Sequence, residues 1–185
     1  MRVLAFADEA PPADAAELVA QNRPDVVVTL GDLEAGCLAP LSSLTLPRQG
    51  VLGNHDDYEL EPLGIRNLHL SRAEVAGWSF CGFEGCVRYA NGPHQYTQEE
   101  AAELIDRLPV ADVLLCHCPP WGVNDEPRDR AHVGFRALRE WVELHGPRHL
   151  LHGHTTPDPR TQTHRLGDTE VAWIRGAVLL ELERV

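Results

Sequence analysis

The sequence has no lysine. All 16 of its basic residues are arginine, set against 28 acidic residues for a formal net charge of −12. We read the missing lysine as a mark of genomic base composition rather than of function. The shortage of positive charge does exclude a class: without a basic face, the chain is no non-specific nucleic-acid binder. The same acidic surface repels a phosphate-bearing ligand unless a bound cation reverses the field locally. Paired cysteine spacing is missing too. The five cysteines (Cys37, Cys81, Cys86, Cys116, Cys118) are odd in number and contain no C-x-x-C. That pattern excludes a disulfide framework and a thiolate zinc cage, and it suits reduced thiols in the cytosol. No apolar run approaches the length of a membrane span. The run over residues 1–7 meets Asp8 and Glu9 too soon to be a signal-peptide core. With no repeat, linker or low-complexity tract, and with 43% hydrophobic residues in 185, one cytoplasmic domain spanning 1–185 is expected.

Short apolar runs that end in polar clusters are what the sequence does have. Residues 3–7 form one and stop at Asp8. Residues 25–30 form the clearest buried strand and stop at Gly31-Asp32, and 49–52 stop at Gly53-Asn54-His55-Asp56. Helices are expected over 13–21 and 134–145, and over 97–107, where Thr97 and Glu100 have capping-box spacing. Residues 67–85 alternate apolar and polar about Gly77, as two antiparallel strands would. The strand expected at 112–116 ends at His117, and the short one at 150–151 ends at His152-Gly153-His154. Segments 161–166, 170–174 and 178–182 suggest a closing meander.

A motif such as Asn54-His55-Asp56 alone is more often a turn than a site. Its recurrence in kind removes that reading. Asp8, Asp32, Asn54, His55, His117 and His154 all lie just past strand ends, where open α/β sheets place their ligands. An amide oxygen binds a metal, an imidazole moves a proton, and a carboxylate orients that imidazole. The mixture of carboxylate, amide and imidazole suits manganese, iron or zinc rather than a thiolate-selecting metal. Cys116 and Cys118 beside His117 read as small buried residues, and Trp121 as loop packing. His132 opens a helix and either caps it or assists phosphate binding. Arg128 and Arg130 lie in a loop that would rim the site. His69, His94, His145, His149 and His164 read as surface or satisfied side chains.

On Asp8, Gly31-Asp32, Gly53-Asn54-His55-Asp56, His117 and Gly153-His154, the chain resembles the calcineurin-like metallophosphoesterase family. The stretch from His117-Cys118-Pro119-Pro120 through His132-Val133-Gly134 to His152-Gly153-His154 is similar to its small prokaryotic members. The resemblance implies a four-layer α/β/β/α sandwich of two mixed sheets. It also implies hydrolysis of a phosphate ester, a diester first, in a small molecule or nucleotide by a metal-activated water. By the same resemblance Asp32 bridges two metals, Asn54, His117 and His154 complete the second metal's shell, and Asp8 ligates the first. His55, held by Asp56, protonates the leaving oxygen or binds the phosphoryl group.

Two positions depart from the family pattern. Asp-x-His becomes Asp8-Glu9-Ala10, and Gly-His-x-His becomes Gly153-His154-Thr155-Thr156. Both lost histidines belong to the first metal site, so one divalent transition metal, manganese first, is expected to bind firmly and a second weakly or not at all. Glu9, His152 and Asp158 are the candidates to replace the missing ligands. The alternative to an enzyme is a non-catalytic metal-binding interaction module on the same fold.

Overall fold

A computed structural model describes residues 1–184; of the span expected as one domain, Val185 lies outside the described residues. In chain order the elements are β1 (Arg2–Ala7), α1 (Ala15–Asn22), β2 (Val26–Thr29), α2 (Ala35–Leu38), β3 (Arg48–Gly50), β4 (Arg66–Asn67), β5 (Arg72–Val75) and β6 (Trp78–Phe83). There follow β7 (Cys86–Val87), β8 (Gln95–Tyr96), α3 (Gln98–Ile105), β9 (Val113–Cys116), α4 (Arg136–His145), β10 (His149–His152), β11 (Arg165–Leu166), β12 (Thr169–Trp173) and β13 (Gly176–Glu181). One sheet runs β13-β1-β2-β3-β4 and a second β11-β12-β10-β9-β6-β5, with β7 and β8 paired apart. Each large sheet is a parallel core edged by antiparallel strands: β13 on β1, β11 on β12, and β5 on β6.

Side-chain alternation explains the four layers. In β1, Val3, Ala5 and Ala7 join Val26, Val28, Phe80, Val113 and Leu115 in a core between the sheets. The intervening Leu4 and Phe6 face the other way and pack with Ala15, Val19 and Val27 under α1. On the far side, Cys81, Leu114 and Cys116 pack with Ala101, Ile105, Leu138 and Trp141 of α3 and α4. Both faces of the parallel strands are therefore covered by apolar layers, and this is why they read as continuous apolar runs. The mixed-sheet α/β/β/α sandwich expected from the sequence is the fold.

Local chemistry sets the boundaries. Asp14 caps α1 by accepting from the Ala16 and Glu17 N–H groups at 2.8 and 3.2 Å, so the helix begins after it rather than at Ala13. The Thr97–Glu100 capping box is present on α3. The closing meander is a correction. β12 joins β10 in parallel, whereas β13 crosses to the other sheet and pairs with β1. Along β13, Val178 and Leu180 face the core between the sheets while Ala177 and Leu179 face the outer layer. A strand apolar on both faces needs a covered position, and the edge of β1 provides one. No helix of the described residues is long and apolar enough to cross a membrane.

Candidate metal centre

The parallel strands of both sheets end at the same end of the sandwich, and the chain turns sharply there. Asp8, Asp32 and His154 each adopt left-handed backbone, with φ of 58°, 53° and 65°. Such residues cost about 1–3 kcal/mol apiece outside glycine and cluster at functional sites. Each turn swings its side chain back over the strand ends. The neighbouring glycines make room: a Cβ on Gly53 would collide with Asp32 Oδ1, and one on Gly153 would lie 2.6 Å from Asp8 Oδ2.

Four donor atoms converge there. His117 Nε2 lies 3.1 Å from Asn54 Oδ1, 3.1 Å from His154 Nδ1 and 3.5 Å from Asp32 Oδ2. Asp32, His117 and His154 form a group able to hold a metal ion. Metal–ligand bonds of about 2.0–2.2 Å place neighbouring ligand atoms roughly 2.8–3.6 Å apart, so these separations fit a shared ion. The lone pairs are aimed from outside the cluster. His117 Nδ1 is 2.7 Å from the Leu30 carbonyl and His154 Nε2 is 2.7 Å from the Ala131 carbonyl. A carbonyl can only accept, so each of these nitrogens carries the hydrogen and the inward-facing nitrogen is left as a donor to metal. Asn54 Nδ2 donates to Tyr89 Oη at 3.1 Å, which turns the amide oxygen inward. With His117 in its neutral form, three lone pairs and a carboxylate then face one point. That donor set fits a divalent transition ion.

The electrostatics agree. Burial pushes the Asp32 carboxyl up, but the His117 imidazole and the His55 N–H outweigh it and hold the pKa at about 2. Burial opposes charge on His117 also, yet Asp32 raises its pKa overall. Burial and the His117 charge depress His154 to about 3, which keeps that ring neutral. The cluster draws positive charge to its centre.

The other half is built differently. Asp8 lies beside the cluster, but both its oxygens accept from the His154 N–H, at 3.0 and 2.9 Å. Burial lifts its pKa to about 6, against the opposing charge of His117. Ala10 and Thr156 are exposed. None of the three expected substitutes joins the centre. His152 is buried with Nε2 2.9 Å from Asn124 Nδ2, Asp158 pairs with Arg160, and Glu9 pairs with Arg175 at 3.2 Å.

The expected His55–Asp56 couple is corrected. Asp56 is buried and accepts from the Gly53, Asp32 and Leu33 N–H groups at 2.7, 3.0 and 3.2 Å. Its carboxylate ties two site turns together and leaves the His55 ring unheld. The His55 side chain is 70% exposed, with Nε2 3.9 Å from Asp32 Oδ2. Adjacent residues in a tight turn point apart, so sequence adjacency misled. A different His–Asp pair stands nearby: His132 Nδ1 is 2.7 Å from Asp129 Oδ2, and its ring centroid is 5.3 Å from that of His154. Cys116 and Cys118 are buried, and Arg128 and Arg130 are exposed. A cavity opens at the opposite ends of the second sheet's strands, beside Ser79, Asp112 and His149, away from this chemistry. Sequence reasoning missed Tyr89 and the Leu30 and Ala131 carbonyls. A backbone carbonyl carries no side-chain signal at all.

An α/β/β/α sandwich with a mixed oxygen and imidazole centre at its strand ends defines the metal-dependent phosphoesterase class. The family model of the calcineurin-like phosphoesterases matches residues 1–158, a span that holds every residue of the centre, and the chain belongs to that family. The family uses divalent metal ions and acts on phosphate esters. Among solved structures, one crystal structure matches at TM-score 0.69 and 18% identity, over 97% of this chain and 94% of the other. The protein TT1561 of Thermus thermophilus matches at 0.65 and 18%, over 95% and 89%. A hypothetical protein from the same organism matches at 0.53 and 18%, over 95% and 75%. At that identity these likenesses show the fold alone. No curated protein matches the chain significantly.

Proposed function

We propose that this chain is a metal-dependent phosphodiesterase in which Asp32, Asn54, His117 and His154 hold one divalent transition metal, manganese first. The observation that carries the reading is the convergence of four donor atoms whose two imidazoles are fixed by backbone carbonyls as inward-facing donors. When bound, such an ion acidifies a water and neutralises charge on phosphoryl oxygens. The residues of the chain supply the rest. His55 stands exposed over Asp32, where its ring reaches the leaving oxygen of an ester and gives it a proton. Asp56 fixes the two turns that carry Asp32 and Asn54. Asp8, engaged with the His154 N–H, holds the loop that presents His154. One divalent charge against the Asp8 and Asp32 carboxylates leaves no net positive charge, which suits a singly charged diester better than a doubly charged monoester.

The test is turnover of an aryl phosphodiester during manganese titration. Turnover is expected to rise with metal and to disappear in Asn54→Ala and His55→Ala proteins. If the purified protein binds metal and turns over neither diesters nor monoesters, the family scaffold serves here as an interaction module. The vacated ligand positions at Ala10 and Thr156 are what such a module would show first.

A further inference from the structure

We propose that Arg175 is a substrate-binding residue whose guanidinium takes a non-bridging phosphoryl oxygen and supplies positive charge on the Asp8 side of the centre. The inference rests on the phosphoesterase reading. Strand register carries the first part of it. Gly176 pairs with Ala7, and Trp173 pairs with His152. Arg175 is thus fixed where the chain crosses between the sheets, between the loop that carries Asp8 and the loop that carries His154. Its Nε lies 3.2 Å from Glu9 Oε2 and its Nη1 3.3 Å from Thr156 Oγ1. The guanidinium therefore spans the mouth of the ligand-poor half, touching the residue after Asp8 and the second residue after His154.

Accessibility carries the second part. The Arg175 and Glu9 side chains are 47% and 61% exposed, so water and substrate reach both. An ion pair that open to solvent contributes little, and Glu9 is therefore a partner that an incoming anion can displace. The outer nitrogen Nη2 makes no hydrogen bond among the described residues, which leaves part of the planar fork facing solvent. A phosphoryl group matches that fork with two parallel hydrogen bonds, which a carboxylate at the rim of an acidic protein does not improve upon. Glu9 holds the guanidinium in place until phosphate exchanges for it.

The two partners therefore have opposite predicted effects. With metal-loaded protein, binding of inorganic phosphate is measured by calorimetry, and KM and kcat are measured with the aryl phosphodiester. Arg175→Ala is expected to weaken phosphate binding about tenfold and to raise KM more than it lowers kcat, with metal content unchanged. Arg175→Lys recovers only part, because an ammonium lacks the fork. Glu9→Gln is expected to tighten phosphate binding by roughly threefold, since the competing carboxylate is gone. Unchanged phosphate affinity in both Arg175 variants overturns the proposal. So does a Glu9→Gln change in the same direction as Arg175→Ala, which would mark a structural pair, and so does a wild type that binds no phosphate. The phosphate arm separates this proposal from the parent reading. A wild type that hydrolyses no ester sinks the enzyme, whereas an active wild type with Arg175→Ala unaltered in KM and phosphate affinity sinks only Arg175.

Discussion

The two halves of the centre use the same kinds of side chain in opposite ways. Around His117, the donors face one another, and each is turned inward by a partner outside the motif: the Leu30 and Ala131 carbonyls and the Tyr89 hydroxyl. Around Asp8, both carboxylate oxygens share the one His154 N–H, and the neighbouring Glu9 is engaged by Arg175. The first half satisfies every outward-facing atom and leaves the inward ones open. The second satisfies its atoms internally. A metal half-site is thus recognised less by which ligand residues it retains than by whether partners outside the motif aim their lone pairs at one point.

The largest break in that comparison is Asp32→Asn, which removes the only carboxylate of the intact shell. It is expected to abolish firm metal binding and to lower turnover by about 10³-fold at saturating manganese, read by metal content together with kinetics. Asp56→Ala acts on the frame beneath the shell. It strands three buried or half-buried backbone donors, so it is expected to lower unfolding free energy by roughly 3 kcal/mol in urea. A variant as stable as wild type would return Asp56 to the catalytic role its position beside His55 suggests. Tyr89→Phe leaves Asn54 in place but unaimed, and about a tenfold weakening of metal binding is expected. The comparison is sharpened from the other side by Ala10→His with Thr156→His. That double change is expected to raise affinity for a second metal by a fewfold, and adding Arg175→Ala to raise it again. Unchanged stoichiometry in both would count against the assignment of Asp8 to a vacated site.

Much of this was legible because strands buried on both faces announce themselves. The run through Val3, Leu4, Ala5 and Phe6 and the run through Val26, Val27 and Val28 need cover on each side, and two sheets between helices supply it. Among the polar residues that stop such runs, Asp32, Asn54, His117 and His154 are the ones the fold brings together. What was not legible lies in partners rather than in elements. The alternation along β13 fixes its two faces but not its neighbour, so the sheet it joins could not be read. Asp56 follows His55, but the turn sends one carboxylate inward and one imidazole out. Arg175 is remote in sequence from both Glu9 and Thr156, and only the strand register joins them.

The crossing from β12 to β13 also closes an edge of the first sheet's parallel core. Met1 and Leu182 exchange backbone hydrogen bonds across 181 residues, so the second edge of β1 is closed by a strand remote from it in sequence. An unpaired edge on an apolar strand is a template for the wrong partner, and contacts this distant form slowly. Arg175 enters with the same segment. β13 therefore covers an edge of β1 that would otherwise stand open, and it brings Arg175 to Glu9 and Thr156.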